Sequence, residues 1–265
     1  MKYSVCIDAI YKDKSPSDAM KAVYEEDIEA IEFWAWWNKD IDEILRLKKE
    51  LDLDIAAFCT RFISLVEEEK RKDYLDGLKE SIKVSKKLGT KILISQVGNE
   101  LNDRSRKVQK ESLIEGLKEA SKILEKEKIT LVFEPLNTLV NHKGYFLWSS
   151  KEAFEICTKV NSPNVKVLFD IYHQQISEGN LISNICENID KIGHFHCAGN
   201  PGRNELYRGE INYKQIFKAI RKSGYKGYIG LEYFPLEDPS MSLWRLPDLE
   251  PSKKGSGRGF GLKTI

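Results

Sequence analysis

The sequence predicts an α/β protein built as a single (β/α)8 TIM barrel. Three observations point there: eight short apolar runs, stretches of helical period between them, and ligand-type side chains at the ends of consecutive runs. The runs cover about 3–9 (YSVCIDA), 28–34 (IEAIEFW), 55–60 (IAAFCT), 91–96 (KILISQ), 129–136 (ITLVFEPL), 165–171 (VKVLFDI), 191–198 (KIGHFHCA) and 227–234 (GYIGLEYF). Most are apolar throughout, which suits parallel strands covered on both faces rather than a sheet with one wet side.

In chain order, the first run starts almost at the N-terminus, with no long apolar stretch ahead of its first charge. The second leads into Phe33-Trp34-Ala35-Trp36-Trp37-Asn38, which holds three of the five tryptophans. Asp40 with Glu43 then resembles a capping box opening a helix whose stripe contains Ile41, Ile44 and Leu45. After the third run Tyr74, Leu78 and Ile82 keep a helical stripe, and after the fourth Leu113, Leu117, Ala120 and Leu124 keep another. Residues 1–250 are expected to form the barrel. Residues 251–265, with Gly255, Gly257, Gly259 and Gly261 among Lys253, Lys254, Arg258 and Lys263, are expected to form a flexible tail.

Composition excludes several classes. Of 265 residues, 42 Lys+Arg against 41 Asp+Glu leave a formal charge of +1, so no global field draws the chain to nucleic acid or an acidic membrane. With 41% hydrophobic and 10% aromatic residues a large core is available, and barrels of this kind run to roughly 250 residues as one domain. No stretch approaches the ~18 to 20 apolar residues of a membrane span, so a cytoplasmic protein is expected. Cys6, Cys59, Cys157, Cys186 and Cys197 form no Cys-x-x-Cys pair and read as buried thiols, not as disulfides or a thiolate zinc site. Association into homo-oligomers is left open.

In such barrels the reacting groups sit at the C-terminal ends of the strands, where the βα loops surround one mouth. Runs five to eight end in Glu134, Asp170, His196 and Glu232. Three carboxylates converging with an imidazole repel one another, and a divalent cation holds them ionised together. An oxygen-rich set with one nitrogen suits Mg, Mn or Co. Strand parity puts His194 on the same face as His196, one layer deeper, as a hydrogen-bonded support, and turns Cys197 toward the helices. His173, three positions after Asp170, either binds a substrate oxygen or caps its loop. Arg203, in the turn-rich segment Gly199-Asn200-Pro201-Gly202-Arg203-Asn204-Glu205, could clamp a carboxylate or hydroxyls. Trp34 and Trp37 could wall off water or stack on sugar carbons.

At these residues the chain resembles the hydroxypyruvate isomerase family within the xylose-isomerase-like barrels. The pieces that carry the resemblance are Glu32-Phe-Trp-Ala-Trp-Trp-Asn-Lys-Asp40, Phe58-Cys-Thr60, Glu134-Pro-Leu-Asn137, Asn141-His-Lys-Gly-Tyr145, Phe169-Asp-Ile-Tyr-His173, Asn200-Pro-Gly-Arg-Asn-Glu205, Gly209-Glu-Ile-Asn-Tyr213 and Gly230-Leu-Glu-Tyr233. The resemblance implies that Glu134 and Glu232 are paired acid/base glutamates that also touch the metal, completed by Asp170 and His196. It implies that His173 and Arg203 meet substrate oxygens, with Trp34, Trp37 and Glu205 as further substrate-binding candidates. In that family the position of His196 is usually Gln, whereas ketose 3-epimerases of the tagatose or psicose type carry His. The expected activity is metal-dependent isomerisation of a small hydroxy-carbonyl compound, hydroxypyruvate to tartronate semialdehyde in type, through an enediolate. The alternatives are ketose 3-epimerisation and a non-catalytic sugar-binding barrel. An apurinic-endonuclease-like phosphodiesterase is disfavoured by the four histidines and the balanced charge.

Overall fold

A computed structural model of the chain describes residues 1–249. The tail expected over 251–265 lies outside the described residues.

Eight parallel strands close on themselves in sequence order: β1 (Lys2–Cys6), β2 (Ala30–Phe33), β3 (Asp54–Cys59), β4 (Ile92–Ser95), β5 (Thr130–Phe133), β6 (Val165–Asp170), β7 (Ile192–Cys197) and β8 (Tyr228–Leu231). Around them run α1 (Ile7–Ile10), α2 (Pro16–Glu25), α3 (Ile41–Glu50), α4 (Arg71–Leu88), α5 (Arg106–Glu127) and α6 (Ser150–Val160). They are followed by α7 (Ile171–Ser177), α8 (Leu181–Asn188), α9 (Tyr213–Lys222), α10 (Pro239–Trp244) and α11 (Leu246–Leu249). All eight expected strands are present, but the first, fifth and eighth end three residues before their apolar runs do. The first run turns into α1 at Ile7, where Asp8 is drawn off to accept the Trp34 backbone N–H at 2.7 Å and Lys39 Nζ at 2.9 Å. The fifth ends at Phe133 and the eighth at Leu231; Pro135 has no N–H with which to extend the ladder. Glu134 and Glu232 therefore lie just beyond their strands, still tied by backbone bonds to Ser95 and Cys197.

The helices start where the sequence supplies caps. Asp40 accepts the backbone N–H of Asp42 and Glu43 to open α3, Ser105 accepts that of Val108 to open α5, and Ser149 accepts that of Glu152 to open α6. The core has two parts, as in other barrels of this class. The larger lies between strands and helices and includes the α5 stripe Leu113, Leu117, Ala120 and Leu124 and the α4 stripe Tyr74, Leu78 and Ile82, all buried. The smaller fills the barrel interior with Ala57, Cys59, Ile94, Val132 and Leu168. Cys197 belongs to the outer part, as parity requires. One expectation is corrected: Cys186 is exposed, because it sits on the outward face of α8, while the other four thiols are buried. No helix among the described residues is long and apolar enough to cross a membrane.

Leu117 is fully buried against the barrel, so Leu117→Ala should lower unfolding free energy by about 2 to 5 kcal/mol in urea titration. A loss below about 1 kcal/mol would mean that the α5 stripe is not packed as described.

Candidate active site

The C-terminal mouth of the barrel holds a cavity of about 590 Å³ lined at its base by Trp34, Glu134, His196, Arg203 and Glu232. One donor atom from each of Glu134, Asp170, His196 and Glu232 lies within 4.8 Å of every other, and all four residues are buried. The strand ladder brings them there. Asp170 pairs in register with His196, and His196 with Gly230, so Glu232 stands two residues beyond the level of its neighbours.

Each side chain is aimed by a specific contact. Asp170 ends β6 and caps α7: its Oδ1 accepts the backbone N–H of Tyr172 at 2.8 Å and of His173 at 3.2 Å. Its Oδ2 lies 3.6 Å from His173 Nε2 and 3.9 Å from Arg203 Nη2. Glu232 accepts from Trp34 Nε1 at 2.6 Å through Oε1 and from Arg203 Nη2 through Oε2. His196 Nδ1 stands 3.3 Å from Glu232 Oε2 and 3.8 Å from Glu134 Oε1.

Beneath this group lies a residue that the sequence reading passed over. Glu32 is buried inside the barrel, where its Oε2 meets His194 Nε2 at 2.9 Å and His196 Nε2 at 3.2 Å, and its Oε1 accepts from Ser4 Oγ at 2.9 Å. An ionised carboxylate can only accept, so both histidines donate from Nε2, and the Nδ1 of His196 is left to face the other three carboxyl groups. His194 thus supports His196 from below through Glu32. Gly230 makes the room: a Cβ there would stand 2.1 Å from Glu32 Oε1 and 2.5 Å from His196 Cδ2. The signal was available, since Glu32 is an acid within an apolar run, two residues from Trp34 and so on the same strand face.

Burial and charge push the two glutamates apart. Burial raises the Glu134 carboxyl well above its ordinary range, helped by Glu232 and Asp170 and opposed by His196. Glu232 is as buried, yet Arg203, His196 and the Trp34 hydrogen bond outweigh desolvation and hold it far below that range. Asp170 is raised by burial against the pull of Arg203. Glu32 is brought down to about 2, because His194 and His196 overcome its burial. His196 is raised, the attraction of Glu232 and Glu32 exceeding the cost of burial.

The donor set fits a divalent cation. Glu134 Oε1 and His196 Nδ1 are buried and have no hydrogen-bond partner among the described residues, a desolvation cost of about 1 to 3 kcal/mol each that a ligand at this spot would relieve. Three carboxylates and one imidazole within one small volume also supply the charge and the oxygen-rich chemistry that such an ion needs. Glu32, His194 and His196 lie equally close together, but there both carboxylate oxygens of Glu32 already accept, from His194, His196 and Ser4.

Of the other sequence candidates, the structure brings Trp34 and Arg203 to the cavity. The Arg203 guanidinium is engaged by Glu232, and its buried Nε has no hydrogen-bond partner among the described residues. His173 is fully buried and does not line the cavity. Its Nδ1 accepts from the Asn137 backbone and side chain, at 3.3 and 2.6 Å, and Nε2 points toward Asp170. Trp37 is not brought to the cavity either: it packs edge-on between Trp36 and Phe62, with ring centroids 5.9 and 5.1 Å away. Nor is Glu205, whose Oε1 accepts the backbone N–H of Leu236 and Glu237 at 2.7 and 3.1 Å, joining the loop after β7 to the loop after β8. A carboxylate spent on two backbone donors is a structural clasp, and the sequence gives no sign of which loop it will hold.

Comparison with known proteins agrees with this geometry. The profile of the xylose isomerase-like TIM barrel family matches residues 19–246. Hydroxypyruvate isomerase of Escherichia coli (strain K12) is 36% identical over 179 residues, covering 67% of this chain and 69% of that protein. The 2-oxo-tetronate isomerase of Cupriavidus necator is 39% identical over 137 residues, 51% of this chain and 52% of that protein. These matches span about half to two thirds of the relatives' lengths. Among solved structures, AP endonuclease, family 2, from Brucella melitensis superposes with a TM-score of 0.88 at 26% identity, over 93% of this chain and 98% of that one. With a matching profile over most of its length and named isomerases among its relatives, the chain belongs to the xylose isomerase-like TIM barrel family, in the company of the hydroxypyruvate isomerases.

Proposed function

We propose that the protein is a divalent-metal-dependent isomerase of a small hydroxy-carbonyl acid, of the hydroxypyruvate or 2-oxo-tetronate kind, that moves a proton between adjacent carbons through Glu134 and Glu232. The observation that carries this reading is the pair of glutamates themselves. They follow β5 and β8, line one cavity and stand 3.8 and 3.3 Å from His196 Nδ1, the arrangement that lets one group take a proton while another gives one.

Glu134, Asp170, His196 and Glu232 would hold Mg, Mn or Co. When bound, the cation supplies Lewis-acid stabilisation of the negative charge that develops on the substrate's oxygens in the enediolate. The remaining chemistry belongs to the chain. Glu232, kept ionised by Arg203 and oriented by Trp34, takes the C–H proton. Glu134, which retains its proton more readily, returns one. Trp34 covers the carboxylate it donates to and keeps water from it. Arg203 Nε offers a hydrogen bond to a substrate oxygen. Return of the proton to the neighbouring carbon, with the hydroxyl proton of the first carbon passing to the former carbonyl oxygen, gives isomerisation. Return to the opposite face of the same carbon gives epimerisation of the ketose 3-epimerase type, a second reading supported by His196 standing where the hydroxypyruvate isomerase resemblance leads one to expect Gln. The five free thiols support a reducing compartment such as the cytoplasm. A nuclease reading, prompted by the Brucella relative, has little to work with: four histidines in the whole sequence and a net charge of +1 supply neither a multi-zinc cluster nor an electrostatic hold on DNA.

Glu134→Gln and Glu232→Gln should each slow solvent-deuterium uptake into hydroxypyruvate, followed by NMR in heavy water with manganese, by at least about 100-fold while circular dichroism is unchanged. A near wild-type rate in either variant would contradict the paired-glutamate assignment, and no exchange in the wild type with any hydroxy-carbonyl substrate would leave only a binding barrel. Manganese at 100 times its Kd should stabilise the fold by about 2.7 kcal/mol, raising Tm by about 5 to 10 °C for a chain of this size. Asp170→Asn should lose most of that gain. An unchanged Tm with all three metals would count against the cation site.

A further inference from the structure

Arg203 reaches Glu232 from a backbone that a residue with a side chain adopts only at a cost. Its φ is +57°, in the left-handed region, which persists in a residue other than glycine where the surroundings over-determine it. Its guanidinium also stands between two carboxylates, since Nη2 bonds Glu232 Oε2 and lies 3.9 Å from Asp170 Oδ2. Neither carboxylate touches the backbone of Arg203, so its conformation is fixed from elsewhere.

The loop after β7 is first closed on itself. Gly199 N–H donates to the Asn204 carbonyl at 2.7 Å, and Glu210 N–H to the Asn200 carbonyl at 2.8 Å. This hoop is then stitched to the loop after β8, which begins with Glu232. Phe234 N–H donates to the Arg203 carbonyl and Asn204 Nδ2 to the Phe234 carbonyl, both at 2.8 Å. Glu205 supplies the other half of the seam: its Oε1 accepts from the backbone of Leu236 and Glu237, and its Oε2 is paired with Arg208 Nε at 3.1 Å. The Glu205 side chain is fully buried, and hydrogen bonds to a carboxylate are stronger than those between neutral groups. Residues 203–205 therefore lie along 234–237, and the Arg203 guanidinium rests against the Phe234 ring, 5.7 Å from its centroid.

We propose that Glu205 is a positioning residue for Arg203: by clasping the loop after β8 it holds Arg203 in its left-handed backbone and so aims the guanidinium at Glu232. Glu205 does not line the cavity and acts through the arginine alone. The kinetic arm of the test rests on the isomerase reading; the spectroscopic arm does not.

Glu205→Ala removes the acceptor of the seam, and Glu205→Gln keeps an oxygen of the same reach. NMR of nitrogen-labelled protein without metal or substrate follows exchange of the Arg203 Nε–H with water, its signal identified by its loss in Arg203→Lys. Exchange should quicken at least about 10-fold in Glu205→Ala and less than about threefold in Glu205→Gln. The indole N–H of Trp36, on another loop and bonded to Ser81 at 3.1 Å, should stay within about twofold in both. Equal quickening of the two reporters, or of neither, would overturn the proposal. Glu205→Asp, which keeps the charge but withdraws it from the backbone of Leu236 and Glu237, takes the place of Glu205→Ala with the same expectations where the alanine variant does not fold. With manganese and hydroxypyruvate, kcat/KM should fall about 10- to 100-fold in Glu205→Ala, but less than about twofold when the same change is made in Arg203→Ala. An equal factor in both backgrounds would overturn the proposal. If the wild type turns over no substrate, the isomerase reading fails and the exchange rates alone decide the role of Glu205.

Discussion

The mouth of this barrel depends on keeping four carboxyl groups buried around one histidine ring, His196, with Glu134, Asp170 and Glu232 above it and Glu32 below. Desolvation and mutual repulsion both oppose this, and an unpaired buried charge is strongly destabilising. The chain answers in two layers. In the lower one Glu32 is neutralised locally by His194 and His196 and by the Ser4 hydroxyl. In the upper one Arg203 and His196 serve Glu232 and Asp170, and Glu134 is left without a dedicated partner. The positive charge in the upper layer falls short of the negative, and the shortfall is concentrated where the donor atoms converge. A divalent cation completes the balance.

The two layers communicate through one ring. His196 gives Nε2 to the structural layer and Nδ1 to the reacting layer, so Glu32 sets which nitrogen is available above it. Gly230 is part of this device, because any side chain at that position would occupy the space in which Glu32 and the His196 ring meet. Trp34 plays a similar double part from β2: its backbone N–H is fixed by Asp8, itself paired with Lys39, and its indole fixes Glu232. Positions of reacting groups are thus determined by residues with no chemistry of their own, a division that fits the separation between a rigid barrel and variable loops.

The fold was legible in the sequence because its signals are local. Eight apolar runs and the stripes on α4 and α5 need no knowledge of the rest of the chain, and Asp40 declares the start of α3 by itself. The four converging positions were legible too, because strand ends in a closed barrel have a common destination. What could not be read is how long each strand persists and where the loops fold back. Ile7–Ala9 reads as strand by composition and is turned into helix by the demand for Asp8 elsewhere. Glu205 and Trp37 read as mouth residues by sequence position, but one is consumed by the backbone of the following loop and the other by neighbouring rings. Glu32 showed in the sequence only as an acid inside an apolar run; its partners, His194 and Ser4, are distant in sequence, and only closure of the barrel brings β1, β2 and β7 around it.

The most direct measurement of the central claim is anomalous diffraction from crystals grown with manganese. The account predicts one strong peak in the barrel mouth, coordinated by Glu134, Asp170, His196 Nδ1 and Glu232. A peak bound instead by Glu32 and His194, or no peak at a concentration that saturates the protein in solution, would contradict it.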